Sequence, residues 1–276
     1  GASDGRMRLL VLGDPHLTSS TVPEVTVAST EIDVVIVVGD LLDQRCHSPE
    51  IGVELLEDLV RSVAPVGYVP GNHDYPYRDL LTGVDGVTDL TATDVRDGVR
   101  FVGLGCDRFD AGTEIRYLDS PFQGDAEQVD EWLDAYRAQA FQSSPVTGPD
   151  PSAVPADGIE RYRHRLRHLR DGFANTAETG VLVSHVPPFD TQLDVIRAER
   201  SPLQGHHWGS LAVRHALREY SPALCLCGHI HGAAGVVDVD GTRCVNPGYR
   251  CAKTVTIDGD SVETEDAPIE YGGRSV

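Results

Sequence analysis

Arg8-Leu9-Leu10-Val11-Leu12-Gly13-Asp14-Pro15-His16 is an apolar run that stops at glycine and at once offers a carboxylate and an imidazole. A run of this length bounded by turn residues has the size of a buried strand. The same arrangement recurs along the 276-residue chain. Asp33 to Gly39 is followed by Asp40 and Asp43, and Val66 to Pro70 by Gly71-Asn72-His73-Asp74. Gly180 to Ser184 leads into His185, and Pro222 to Cys227 into Gly228-His229-Ile230-His231. Each ending supplies side chains that ligate metals. Residues two apart beyond a strand point to one side, so Asp14 with His16, and His229 with His231, can reach a shared crevice.

Between these runs, Pro49 to Val63 sets Ile51, Leu55, Leu56, Leu59 and Val63 at helical spacing behind Ser48 as N-cap, and Ser210 to Tyr220 is similar. Strand, crossover, strand predicts a largely parallel sheet covered on both faces, with its crevice at the carboxyl ends of the strands. Later, Gly235 to Val239, Thr242 to Asn246, Thr254 to Ile257 and Ser261 to Thr264 are β-branched runs with Asp-Gly turns among them. They predict hairpins and a second, antiparallel-rich sheet. An insertion over residues 107–173 is expected to be helical at Ala126 to Phe141 and Ile159 to Phe173, with a flexible loop at 142–158. Residues 1–6 read as a remnant or short arm without fold information, and 266–276 as a tail.

The five blocks Asp-x-His, Gly-Asp-x-x-Asp, Gly-Asn-His-Asp, a lone His and Gly-His-x-His stand in this order. In this the chain resembles the calcineurin-like metallophosphoesterase superfamily over residues 7–265. The fold expected is α/β, a four-layer α-β-β-α sandwich of two mixed sheets with a helical insertion. The resemblance implies that Asp14, His16 and His231 hold one divalent ion, that Asn72, His185 and His229 hold another, and that Asp40 bridges them. His73, next to a ligand, falls at the rim as proton donor to the leaving oxygen, with Asp74 to orient it and Asp43 tying down a ligand histidine or the loop. Mixed imidazole and oxygen ligation suits Mn, Fe, Zn, Co or Ni better than Mg or Ca, with Mn favoured.

Two such cations can clamp a phosphate while the hydroxide between them attacks phosphorus in line. The expected activity is hydrolysis of a phosphate ester, most simply a phosphodiester of a nucleotide or other small molecule. A phosphomonoesterase on a nucleotide or protein is the alternative, ahead of a nuclease or a non-catalytic scaffold. The Ser184-His185-Val186-Pro187-Pro188, Cys227-Gly-His-Ile-His231 and Val245-Asn246-Pro247-Gly248 stretches are also similar to small prokaryotic phosphoesterases related to cyclic-nucleotide phosphodiesterases.

The chain carries 43 acidic against 23 basic residues, a net charge of -20, and Lys253 is its only lysine. Carboxylate density of this kind keeps a protein hydrated in molar salt, where screening falls to roughly 3 Å. The composition therefore predicts a halophilic, cytoplasmic protein, and it opposes binding of nucleic acid through counterion release. No apolar run reaches the roughly 18 residues of a membrane span, and no leader is read. The six cysteines are expected to be free and buried.

Two further segments are candidate substrate contacts. Arg161 to Arg170 is a basic helix whose Arg163 and Arg167 could form a cationic lid, or else a solvated arginine face. Gln204-Gly205-His206-His207-Trp208 could place His206 and His207 against substrate, or be an exposed turn with a packed tryptophan. Asn246 to Tyr249 reads as a turn at the sheet edge that could border the pocket.

Overall fold

In the computed structural model, the described residues are 6–18, 25–27, 31–108, 114, 156–174, 177–199, 201, 203–259 and 261–271. Their strands are β1 (Arg6–Gly13), β2 (Val25–Val27), β3 (Val34–Val37), β4 (Val66–Tyr68), β5 (Val87–Asp89), β6 (Asp94–Arg96) and β7 (Val99–Leu104), then β8 (Thr179–Ser184), β9 (Leu224–Leu226), β10 (Gly235–Val239), β11 (Thr242–Asn246), β12 (Cys251–Asp258), β13 (Ser261–Ala267) and β14 (Ile269–Tyr271). The helices are α1 (Glu50–Ser62), α2 (Arg78–Thr82), α3 (Ala156–Phe173) and α4 (Leu211–Tyr220).

Alternation along β1 explains the layering. Leu10 and Leu12 join Val35 and Val37 of β3 on one face, where Leu55, Leu56 and Leu59 of α1 cover them. Leu9 and Val11 point the other way, with Val34 and Ile36, against Phe101, Val181, Val183, Leu224 and Leu226 of the second sheet. Strands apolar on both faces must lie between two layers. The far side of the second sheet, through Val102, Leu182 and Cys225, is covered by Tyr162, Leu166, Leu169 and Phe173 of α3 and Leu217 of α4. The result is the expected α-β-β-α sandwich.

Both sheets are six-stranded and mixed, in the orders β13-β12-β1-β3-β4-β5 and β10-β11-β9-β8-β7-β6. In the first, β1, β3, β4 and β5 pair in parallel and β12 and β13 antiparallel. In the second, β7, β8, β9 and β11 are parallel, flanked by antiparallel β6 and β10.

The late hairpins therefore do not form an antiparallel sheet of their own. One extends each mixed sheet, because β12 pairs with the edge of β1 and β11 with the edge of β9, burying Val255 and Val245 between the layers. The presumed tail is strand through Tyr271, since β13 runs to Ala267 and β14 pairs antiparallel with β2. Helix α1 is entered from Pro49 rather than capped by a Ser48 side chain; the Ser48 carbonyl instead accepts from the Ile51 N–H at 3.1 Å. Ser210 does cap α4, its hydroxyl accepting from the Val213 N–H at 3.2 Å. The helix expected over Ala126 to Phe141 and most of loop 142–158 lie outside the described residues, although α3 begins at Ala156. Five cysteines are buried and free, whereas Cys251 is exposed at the start of β12.

Candidate metal centre

All five ligand-bearing blocks lie just past the carboxyl ends of parallel strands: β1, β3 and β4 from the first sheet, β8 and β9 from the second. The two sheets face each other, so these ends meet at one edge of the sandwich. Convergence needs more than strand alternation. Asp14, His16, Asp40 and His229 all sit in the left-handed region, at φ 41°, 45°, 48° and 67°, a costly conformation for non-glycine residues that concentrates at functional sites. Close approach is secured by glycine: a Cβ on Gly39 would stand 2.5 Å from His185 Nδ1, and one on Gly71 would strike the Asp40 carboxylate.

Three groups of donor atoms result among the described residues, and Asp40 is common to the first two. Asp14, His16, Asp40 and His231 form the first, Asp40, His185 and His229 the second, and His16, Asp43 and His73 the third, the offered atoms of each lying within 4.8 Å of one another. His16 Nε2 is 3.1 Å from His231 Nε2 and 3.4 Å from Asp40 Oδ2. The same Asp40 oxygen is 3.4 Å from His185 Nε2, which also lies 3.1 Å from Asn72 Oδ1. His185 is preset in its tautomer: Nδ1 donates to the Val38 carbonyl at 2.8 Å, leaving Nε2 turned inward. Asp14 accepts from the His229 N–H at 3.0 and 3.2 Å, and Asp40 Oδ1 from the His73 N–H at 2.9 Å, so each carboxylate also ties ligand loops together.

Residues 7–233 match the family described as Calcineurin-like phosphoesterase. The chain belongs to that family. One solved structure shares this fold with a TM-score of 0.56 at 16% identity, covering 95% of this chain and 99% of its own. A protein of Thermus thermophilus gives a TM-score of 0.50 at 17% identity, covering 94% and 98%. An uncharacterized protein of Methanocaldococcus jannaschii is 32% identical over 68 residues, 24% of this chain and 29% of that protein, so the match spans less than a third of that relative. The family description names phosphoester hydrolysis, and the buried His and Asp side chains gathered here are of the types that hold divalent metals.

The residues present fit such a centre. His229 Nε2 is a buried nitrogen without a hydrogen-bond partner, facing the second donor group. An orphaned buried polar atom is costly unless something unseen pairs with it, and a cation would. Burial lowers His229 to about 3 and His16 to about 4, so both stay neutral and able to ligate. Burial pushes the Asp14 carboxyl up to about 7, helped by Asp40. Burial opposes the charge on His185 too, but Asp40 and Asp14 outweigh it and raise His185 to about 9. Asp40 is the converse case: burial raises it, and His185 more than offsets this, holding it below the usual carboxylate range. In the protein alone a protonated His185 thus does the neutralising that bound dications would take over.

Around the ligands, two residues depart from their expected contacts. Asp74 is fully buried and accepts from the Leu41 and Gly71 N–H groups, both at 2.6 Å. It therefore clamps the Asp40 loop to the Asn72 loop. His73 is oriented by a backbone group, the Gln44 N–H donating to its Nδ1 at 3.2 Å. Its ring meets His16 edge-on, with centroids 4.7 Å apart. Asp43 lies behind His16, its Oδ2 3.6 Å from Nδ1, and is also paired with Arg45 at 2.9 Å.

The four candidate substrate contacts sit elsewhere in the hydrogen-bond pattern. His207 has both ring nitrogens engaged, Nδ1 with Asp194 at 2.7 Å and Nε2 with Asp190 at 3.3 Å, so it staples its own loop. His206 is half-buried in the same turn, where its carbonyl accepts from Ile196 and its N–H donates to Leu203. On α3, Arg163 pairs with Glu160 at 3.5 Å and Arg167 donates to the Arg163 carbonyl at 3.3 Å, contacts within the helix itself. The neighbouring Arg165 turns inward to buried Glu114, which also accepts from Ser210 Oγ and the Leu211 N–H. Asp194 was not singled out by type or spacing. Trp208 packs on His229 with centroids 5.3 Å apart.

Proposed function

We propose that this calcineurin-like phosphoesterase is a phosphodiesterase acting on a nucleotide or other small phosphorylated molecule, of the kind found in small prokaryotic phosphoesterases related to cyclic-nucleotide phosphodiesterases. Asp14, His16 and His231 would hold one divalent transition-metal ion, Asn72, His185 and His229 the other, and Asp40 both, with manganese the favoured metal. When bound, such a pair supplies Lewis-acid polarisation of the phosphoryl oxygens and acidifies water at neutral pH.

The observation that carries the reading is His73. Because Nδ1 accepts from Gln44, the neutral ring holds its proton on Nε2, beside His16 at the edge of the donor groups. As the oxygen of water bonds to phosphorus and the bond from phosphorus to the leaving oxygen breaks, this proton passes to the departing alkoxide. The attacking water sheds a proton to solvent, and His73 takes one back from solvent before the next turnover.

Support for a diester comes from three arginines among the described residues, each already engaged by a carboxylate of the protein. A dianionic monoester is ordinarily met by bidentate guanidinium groups. Here Arg45 is paired with Asp43, Arg163 with Glu160 and Arg165 with Glu114. Two dications against the carboxylates of Asp14 and Asp40 would leave the site positive and attractive to an anionic phosphate. The test is a panel with added manganese: p-nitrophenyl phosphate, its bis ester, and 2′,3′- and 3′,5′-cyclic nucleotides. The reading requires faster turnover of the diesters, and a preference for the monoester would replace it with a phosphomonoesterase.

A further inference from the structure

Tyr249 follows β11 in Asn246-Pro247-Gly248-Tyr249, a stretch to which the chemistry above assigns no role. Its ring stands over two of the proposed ligands, with centroids 4.9 Å from His231 at 32° and 5.5 Å from His16 at 49°. Even so, 46% of the residue is exposed. A large ring held open beside a charged centre is a feature that function, rather than packing, explains.

The loop is built to hold the ring there. Asn246 is fully buried; Nδ2 donates to the Ile230 carbonyl at 3.2 Å and the Gly228 carbonyl at 3.5 Å, while Oδ1 accepts from the Gly248 N–H at 2.9 Å. On its other side the Arg250 N–H donates to the Asp14 carbonyl at 3.2 Å. Gly248 at φ +93° and Arg250 at φ 53° make the turn that lifts Tyr249 between these anchors. The ring is thereby referenced to both the Asp14 loop and the His229 loop. His16 is the shared neighbour: Tyr249 lies against it on one side and His73 edge-on at 4.7 Å. Trp208, in contrast, borders the other donor group through His229.

We infer that Tyr249 is a specificity-determining residue, the platform on which a planar aromatic part of the leaving group stacks while His73 protonates the departing oxygen. The substrate class is then a phosphodiester whose leaving group carries an aromatic ring, as a nucleoside does. This rests on the phosphodiesterase reading. A ring that only shields His16 and His231 from water would act on every substrate alike, through metal retention.

The experiment compares wild type, Tyr249→Phe and Tyr249→Ala, as full chains loaded with manganese and assayed for metal per chain. Each is given a nucleoside 3′,5′-cyclic phosphate and the ribose 3,5-cyclic phosphate that lacks the base. Tyr249→Ala is expected to raise KM for the nucleotide about 10-fold, the scale of one lost base stack. Its kcat, its metal content and its action on the abasic ester are expected to stay as in wild type, and Tyr249→Phe to behave as wild type on both. Equal losses on both esters, or no loss on the nucleotide, would overturn the inference alone. A wild type inactive on every phosphodiester would sink the parent reading and the platform with it.

Discussion

Nε2 of His16 lies 3.1 Å from Nε2 of His231, though the two residues are 215 positions apart in the chain. Burial holds both imidazoles below their ordinary range, so the pair is neutral, and with the proton on the other ring nitrogen each Nε2 can give its lone pair to a cation. His16→Ala and His231→Ala are each expected to retain about half the metal of wild type. Activity falls by more than the ~10–100-fold typical of residues that only support a ligand. Elemental analysis of purified, metal-supplemented variants checks this; full metal content in either would contradict it.

Metal affinity will rise with pH. Asp14 at about 7 and His185 at about 9 both lie above their ordinary values of 3.8 and 6.5, so the metal-free site carries protons near neutrality that entering cations must displace. The sign for stability is the same for both groups. A raised pKa in the fold stabilises it while the proton is bound, and that contribution is lost as pH climbs, through about 7 for Asp14 and about 9 for His185. Metal-free protein is thus expected to lose thermal stability between 3.8 and about 7 through Asp14 and between 6.5 and about 9 through His185, whereas metal-loaded protein keeps it. Calorimetry in buffers of different ionisation enthalpy would detect the released protons, and pH-independent affinity over this window would refute the assignment.

His73→Gln removes the proton donor while leaving the proposed ligands in place. The expected outcome is a fall in kcat of roughly 10²–10⁴ on esters with alkoxide leaving groups. A far smaller fall is expected on bis-p-nitrophenyl phosphate, whose leaving group departs without a proton. Equal losses on both would assign His73 to binding.

Asp194 is a buried carboxylate that receives N–H groups from Asp190, Thr191 and Gly209, at 3.1, 2.8 and 3.0 Å, as well as His207. Asp194→Asn cannot accept on both sides as a charge does, and should cost about 3 kcal/mol of stability. The loop that sets Trp208 against His229 loosens with it. Denaturant melts of the metal-loaded variant are the check, and an unchanged midpoint would show that this staple is dispensable.

Much of this was legible in the sequence for a physical reason. Each proposed ligand follows an apolar run of the size of a buried strand, so Gly13-Asp14 and Gly228-His229 announce both a strand end and a candidate metal donor. The layering followed from Leu9 to Leu12, apolar on both faces. What could not be read was contact that depends on backbone groups. Gln44 offers His73 its N–H, and Gly71 and Leu41 offer theirs to Asp74, with nothing in residue type to show it. Strands β5 and β6 escaped notice because each has three residues and none of them is fully buried, although Asp97-Gly98 marks the turn between β6 and β7. His207 looked like a substrate contact because the carboxylates of Asp190 and Asp194 that engage it lie more than a dozen residues away in sequence.

We propose that the acid-rich, lysine-poor composition reflects a salt-rich cytoplasm. With a net charge of -20, self-repulsion is relieved by screening, so the melting temperature and activity should rise from dilute buffer toward molar KCl. A protein equally stable at both would speak against a halophilic origin.

The central claim is that one carboxylate, Asp40, serves two cations. A crystal structure of manganese-loaded protein, with anomalous scattering to locate the metal, tests it most directly. The account predicts two ions about 3.5–4 Å apart, both in contact with Asp40. A single ion, or two ions of which Asp40 touches only one, would contradict it.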